Sequence, residues 1–200
     1  MLILVRHGES TGNAARLLVG RIDVPLSDEG RRQAAGLAGR LGELSAVVSS
    51  PLRRAVDTAE ALAGDRPVTV DDRWIEMDYG GQDGRPLTEV PRDVWAQWRT
   101  DPAAHPAGGE SVGEVVARVA DACAELFAVP GQGARDEEGH VVVVSHVTPI
   151  KAAIAWALAA DPDVIWRMYL SNGSVSRVRW GPGGPVLSSF NETEAPPAGR

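Results

Sequence analysis

Leu2-Ile3-Leu4-Val5-Arg6-His7-Gly8 is the stretch on which the fold turns. Four consecutive aliphatic residues suit a strand covered on both faces, as in a parallel sheet between helices; a half-exposed strand would alternate. Two similar runs follow, Ala46 to Val48 and Val141 to Val144, and helical patterns separate them. Ser27 precedes Asp28, Glu29 and a periodic segment through Leu41, which has the form of a capped helix start. Ser50-Pro51 reads as a cap with proline at the first helical position. Ser111 and Glu114 have capping-box spacing at the head of an amphipathic helix reaching about Val129, and a further apolar helix runs from Val147. Strands alternating with helices predict an α/β protein, a three-layer α/β/α arrangement with a mostly parallel central sheet. Val175 to Trp180 and Val186 to Phe190, on either side of a Gly-Pro-Gly-Gly-Pro stretch, add a C-terminal hairpin.

The 200 residues suffice for one domain that buries roughly 70% of its unfolded surface, and residues 1–190 are read as that domain. Residues 73–109, rich in Gly, Pro and Trp with a short helix around Val94 to Arg99, read as an insertion over the sheet, and long loops of this kind tend to carry function. Residues 191–200 read as a disordered tail. The apolar runs are too short for a bilayer or carry Lys151, and no basic-then-apolar leader is visible, so a cytoplasmic protein off the membrane is expected. The lone Cys123 excludes an internal disulfide and fits a reducing compartment; on its apolar helical stripe it reads as a small buried hydrophobe. A net charge of -7 argues against a nucleic-acid partner. A homodimer is compatible with the sequence.

All three buried runs end in residues suited to a phosphate. The first leads into Arg6-His7-Gly8, the second into Ser49-Ser50-Pro51 with Arg53-Arg54, and the third into Ser145-His146. In open α/β sheets ligands bind beyond the carboxyl ends of the strands, so these groups converge on one edge. A single buried histidine is more often a satisfied core residue than a catalyst; two at neighbouring strand ends, with arginines, make a stronger case. His105, in a Pro/Ala/Gly loop, and His140, before a strand, read as surface residues. No histidine pair has helical metal-ligand spacing and one cysteine cannot build a zinc site, so neither a metal nor another cofactor is expected.

Taken together, Leu4-Val5-Arg6-His7-Gly8-Glu9-Ser10-Thr11-Gly12-Asn13, then Gly20, Asp23, Pro25-Leu26-Ser27 and Gly30, Ser50 to Ala55 with Thr58-Ala59, Glu76 to Gly80, Gly108 to Ser111 and Val144-Ser145-His146 resemble the histidine phosphatase superfamily, also called the phosphoglycerate mutase-like family. The matches run in order over about residues 1–154. The resemblance implies that His7 is the phosphorylated nucleophile, that Arg6, Arg54 and His146 surround the phosphoryl oxygens, that Asn13 donates a further hydrogen bond and that Glu76 is the proton donor, with Asp78 its local competitor. The chemistry agrees. Guanidinium neighbours keep His7 neutral for attack, and the planar fork of an arginine can bind two phosphoryl oxygens at once. Glu76 must be protonated to serve the leaving oxygen, and in a second step it would activate water.

Two positions depart from the family pattern. Val147 stands where glycine is common after the second histidine; its backbone N–H can still face the phosphate if the backbone needs no positive φ, which a β-branched residue resists. Lys151 stands where arginine is frequent and either supports the site or caps solvent. The mutases that the chain resembles are longer and carry a segment that shields the phosphoenzyme from water, so hydrolysis of a small phosphorylated metabolite is expected here. The alternatives are a mutase-type phosphoryl relay and an inactive family member that binds a phosphorylated ligand. Val144 to Ile150 and Ser189-Phe190-Asn191 resemble the α-ribazole phosphatase and broad-specificity phosphatase branches.

Overall fold

The computed structural model describes residues 1–128 and 139–193. Six strands, β1 (Leu2–Arg6), β2 (Leu44–Ser49), β3 (Val68–Val70), β4 (His140–Ser145), β5 (Val175–Gly181) and β6 (Gly184–Glu192), form one sheet in the order β3-β2-β4-β1-β5-β6. The first four run parallel, while β5 and β6 are antiparallel and form the expected hairpin. Alternation along β1 builds both cores. Leu2 and Leu4 face Val115, Val119, Cys123, Ile150 and Ile154, whereas Ile3 and Val5 face Leu37, Ala55, Ala59 and Leu62. Helices α2 (Asp28–Leu37) and α3 (Arg53–Ala63) therefore cover one side, and α5 (Val112–Ala128) and α6 (Val147–Ala157) the other. This is a three-layer α/β/α fold, and Cys123 is fully buried within it. Short helices α1 (Thr11–Ala14) and α4 (Arg92–Thr100) lie in the connections.

Several boundaries differ from the sequence expectation. Helix α2 ends at Leu37 and not at Leu41, because Ala38 is extended (ψ 129°) and Gly39 takes φ +81°, a left-handed turn that glycine allows cheaply. The helix after β2 starts at Arg53, with no side-chain cap from Leu52. Ser50 does not cap it; Asp23 Oδ1 accepts from the Arg53 N–H at 2.7 Å instead. The three-residue edge strand β3 had no apolar run to announce it, since Thr69 and Val70 are exposed. Strand β6 takes in Asn191 and Glu192, two residues assigned from sequence to the tail; residues 194–200 and the expected helix end at Val129 lie outside the described residues. His105 is exposed as expected, but His140 is half-buried at the start of β4. The capping box at Ser111 and Glu114 is present in both directions, at 2.8 and 3.2 Å.

No described helix is long and apolar enough to cross a membrane.

Candidate active site

Sheet register sets the site. Arg6 pairs with Ser145 and Ser49 with Val144, so β1, β4 and β2 end level and release His7, His146 and Ser50 side by side. Main-chain bonds carry the ladder one step further: the His7 N–H donates to the Ser145 carbonyl and the Ser50 N–H to the Val144 carbonyl, both at 3.0 Å. The loop that follows β1 passes very close to the start of α2. A Cβ on Gly8 would sit 2.3 Å from the Gly30 carbonyl oxygen, so only glycine permits this approach.

His7 is buried, and its Nδ1 lies 2.6 Å from the Gly8 carbonyl oxygen. A carbonyl can only accept, so Nδ1 carries the proton and Nε2 presents a lone pair. Arg54 Nε donates to that Nε2 at 3.3 Å. Burial holds the His7 imidazole well below its usual 6.5, and the charges of Arg54 and Arg6 depress it further. His146 is also held well below 6.5, again first by burial and then by Arg54. The two rings are 5.0 Å apart, and Ser50 Oγ lies 2.7 Å from His146 Nε2.

Arg54, 1% exposed, is clamped by carbonyls: its Nη2 donates to Gly20 at 2.6 Å and its Nη1 to Ile22 at 2.9 Å. Those two bonds and the one to His7 use three of its five N–H groups. Arg6 donates through Nη1 to the Leu170 carbonyl at 2.6 Å, and burial pulls it down to about 10, so it stays cationic at neutral pH. Two nitrogens of this group, Arg6 Nε and His146 Nδ1, are buried without a hydrogen-bond partner among the described residues.

Glu76 is 3% exposed on the loop after β3, which Ser145 Oγ anchors by donating to the Trp74 carbonyl at 2.6 Å. Its Oε1 accepts from the Met77 N–H at 2.7 Å and from the Thr148 N–H, at the start of α6, at 3.3 Å. Two guanidinium groups, Arg54 buried and Arg6 half-buried, against one carboxylate, with both imidazoles neutral, leave the cluster with an excess of positive charge suited to an anion. Among the described residues no group of three or more His, Cys, Asp or Glu side chains could hold a metal ion.

Comparison with known proteins agrees with this geometry. The profile of the histidine phosphatase superfamily (branch 1) matches residues 2–193. The chain belongs to that superfamily. The bifunctional protein Rv2228c of Mycobacterium tuberculosis is 40% identical over 185 residues, which are 88% of this chain and 49% of that protein, so the chain spans about half the length of this relative. The structure of a mycobacterial glucosyl-3-phosphoglycerate phosphatase complexed with VO3 is 31% identical, with a TM-score of 0.86 over 96% of this chain and 98% of the other. A putative α-ribazole-5'-P phosphatase from Escherichia coli is 25% identical, with a TM-score of 0.78 over 96% of this chain and 95% of the other. The chain thus falls in the phosphatase branch of the superfamily related to these proteins.

In this member of the superfamily, the buried His7, Arg54, Glu76 and His146 come together with the half-buried Arg6. Asn13 is engaged elsewhere: its Oδ1 accepts from the Ser10 N–H at 3.1 Å and from Ser10 Oγ at 3.0 Å, closing the cap of α1. Asp78 is turned to the rim, where it pairs with Arg21 at 3.4 Å and accepts from the Gly80 N–H. Val147 opens α6 without positive φ, so its β-branched side chain costs no strain there. Lys151 is half-buried and lies within electrostatic reach of Glu76 and Arg6.

Three contacts were not foreseen from the sequence. Ser50 meets His146 where a helix cap was expected; Thr58 links Gly8 N–H (3.2 Å) to the Arg54 carbonyl (2.8 Å); and Tyr79 Oη lies 3.3 Å from Thr148 Oγ1. The periodicity of α3 could have found Thr58, because it stands one turn after Arg54 on the same buried face.

Proposed function

We propose that this chain hydrolyses small phosphomonoesters by passing the phosphoryl group through Nε2 of His7. The observation that carries the reading is the His7 tautomer, with Nδ1–H committed to the Gly8 carbonyl, so that Nε2 bears the lone pair, which Arg54 Nε–H meets at 3.3 Å and would yield to the phosphoryl group. In the first step the Nε2 lone pair forms the bond to phosphorus, the ester P–O bond breaks, and Glu76 gives its proton to the leaving oxygen. In the second, water attacks the phosphohistidine, Glu76 takes the proton from water, and the P–N bond breaks to release inorganic phosphate and restore His7. Arg6 and Arg54, with His146, stabilise the charge on the transferring oxygens, and the partnerless Arg6 Nε and His146 Nδ1 support that role. The N–H groups that open α6, Val147 included, add a helix N-terminus facing the same anion. Asn13 contributes once its amide is presented beyond the α1 cap.

Net charge and the deep cationic cluster support a small phosphorylated metabolite as substrate in preference to a nucleic acid. Glucosyl-3-phosphoglycerate and α-ribazole 5'-phosphate are the first compounds to assay, given the relatives named above. Residues 1–190 act as one unit in this reading. Segment 73–109 selects the substrate, since it supplies Glu76 and packs Trp98 on Tyr79 at 5.5 Å. A single, buried cysteine supports residence in the reducing cytoplasm. The edge strand β6, with Val186 and Phe190 exposed, supports a homodimer, which sedimentation would report.

Trapping the intermediate tests the mechanism. Phosphoramidates are acid-labile and comparatively stable to base, the reverse of phosphoserine. Enzyme quenched in base during turnover of labelled substrate should carry label with that profile, and His7→Ala should carry none. Label retained in that variant removes His7 from the role.

A further inference from the structure

We propose that Asp83 is a positioning residue for Arg54 and acts on it through the main chain of residues 20–22. The inference rests on the assignment of Arg54 to the transferring phosphoryl group. Asp83 Oδ1 accepts from the Gly20 N–H at 2.6 Å, and Oδ2 accepts from the Arg21 N–H at 2.8 Å and the Ile22 N–H at 3.0 Å. Three successive amide N–H groups thus close on one carboxylate, an anion nest filled by the protein's own side chain.

The carbonyls of the same short segment hold Arg54. Gly20 accepts from Nη2 and Ile22 from Nη1, and with both Nη atoms fixed the Nε–H has one direction left, toward His7 Nε2. Asp83 makes no direct hydrogen bond or ion pair with Arg54; beyond a through-space attraction for the guanidinium, it reaches Arg54 through two peptide units.

Neighbouring contacts show that this role is separate from holding the loop in place. Segments 16–18 and 84–87 are tied by Leu18 N–H to Arg85 O (2.7 Å), Gly84 N–H to Leu18 O (2.8 Å) and Leu87 N–H to Arg16 O (2.9 Å), none of which involves the Asp83 side chain. Only the orientation of peptides 20–22 depends on the carboxylate. Those peptides have little room to move: a Cβ on Gly20 would stand 2.8 Å from the Met77 carbonyl oxygen and 2.8 Å from Tyr79 Cδ2. In a site of this kind a displacement of about 1 Å costs on the order of 10²-fold in rate.

A double-mutant cycle on kcat with an aryl phosphate tests the proposal, using Asp83→Asn, Arg54→Ala and the double variant, each checked for folding by circular dichroism. Asn keeps one acceptor oxygen but turns an amide donor toward N–H groups. Asp83→Asn is expected to lose about 10-fold to 10²-fold in kcat, and adding it to Arg54→Ala should cost less than about threefold more, because the group it positions is gone. Gly20→Ala, whose Cβ would also stand 3.2 Å from Asp83 Cγ and so displaces the same peptides with the carboxylate retained, should show the same non-additivity with Arg54→Ala and stands in if Asp83→Asn does not fold. Losses that multiply in the double variants, or an Asp83→Asn enzyme within threefold of the parent, overturn the proposal. An Arg54→Ala enzyme with unchanged kcat would instead overturn the assignment of Arg54 itself.

Discussion

Arg54 Nε donates to His7 Nε2 across 3.3 Å, joining the first turn of α3 to the loop that leaves β1. The contact keeps the histidine lone pair pointed into the cluster and places a cation where a phosphoryl oxygen would come to rest during attack. It also helps keep the imidazole neutral, since a positive charge this close, in a site that already disfavours ionisation through burial, opposes protonation.

From this follows a sharp contrast between adjacent arginines. Arg54 is 1% exposed, whereas the Arg53 side chain is 63% exposed and pairs with Asp57 at 3.6 Å, an exposed i,i+4 contact worth a few tenths of a kcal/mol. Arg54→Ala should lose on the order of 10²-fold to 10³-fold in kcat, as when one transition-state donor is removed. Arg53→Ala should lose less than about 10-fold. Steady-state kinetics on folded variants decides, and a larger loss for Arg53→Ala would refute the assigned phosphate site.

Glu76→Gln removes the proton that the leaving oxygen needs but keeps an oxygen for the Met77 and Thr148 N–H groups. The loss should depend on the leaving group: about 10²-fold or more for an alkyl phosphate and much less for a p-nitrophenyl phosphate, whose phenolate leaves unaided. Equal losses on both substrates would argue against a proton-donor role.

Metal removal should leave turnover intact, because arginines and histidines supply the positive charge at the proposed site. Activity should survive exhaustive EDTA treatment, and vanadate, a five-coordinate phosphoryl mimic, should bind far more tightly than inorganic phosphate. Activity lost in EDTA and restored by zinc or magnesium would point to a metallophosphatase.

Stability should fall as pH drops below about 6.5. His7 and His146 are both depressed in the folded protein, chiefly by burial, while the unfolded chain titrates them near 6.5. Below that pH the unfolded state therefore binds more protons, and stability declines until the folded-state values are reached. From pH 7.5 to 5.5 the two histidines should together remove up to about 3 kcal/mol. Urea unfolding at both pH values measures the loss, and His146→Asn should roughly halve it. The depressed carboxylates Asp71 and Glu192 act only at lower pH, where carboxylates of the unfolded chain begin to protonate. An unchanged slope in His146→Asn would mean that the ring is not buried neutral.

The amino-acid sequence by itself determined the layers and the meeting of the strand ends. Leu2 to Val5 and Val141 to Val144 are apolar on both faces, a pattern that local periodicity reports directly, and the residues next in line, His7 and His146, then had to emerge together from neighbouring parallel strands. What the tertiary structure decided are the contacts between segments far apart in the chain. Helical phase alone would put the apolar Val56 in the buried stripe of α3; in the fold Val56 is half-exposed while Arg54 and Thr58 are buried, because the carbonyls of Gly20 and Ile22 and the ring of His7 meet that face. Ser50 was legible as a helix cap and is instead the partner of His146, since β2 and β4 end level. Asp83 left no mark, for its partners are backbone N–H groups. Every residue but proline has one, so which of them a carboxylate gathers is settled only when two distant loops come within 3 Å of each other.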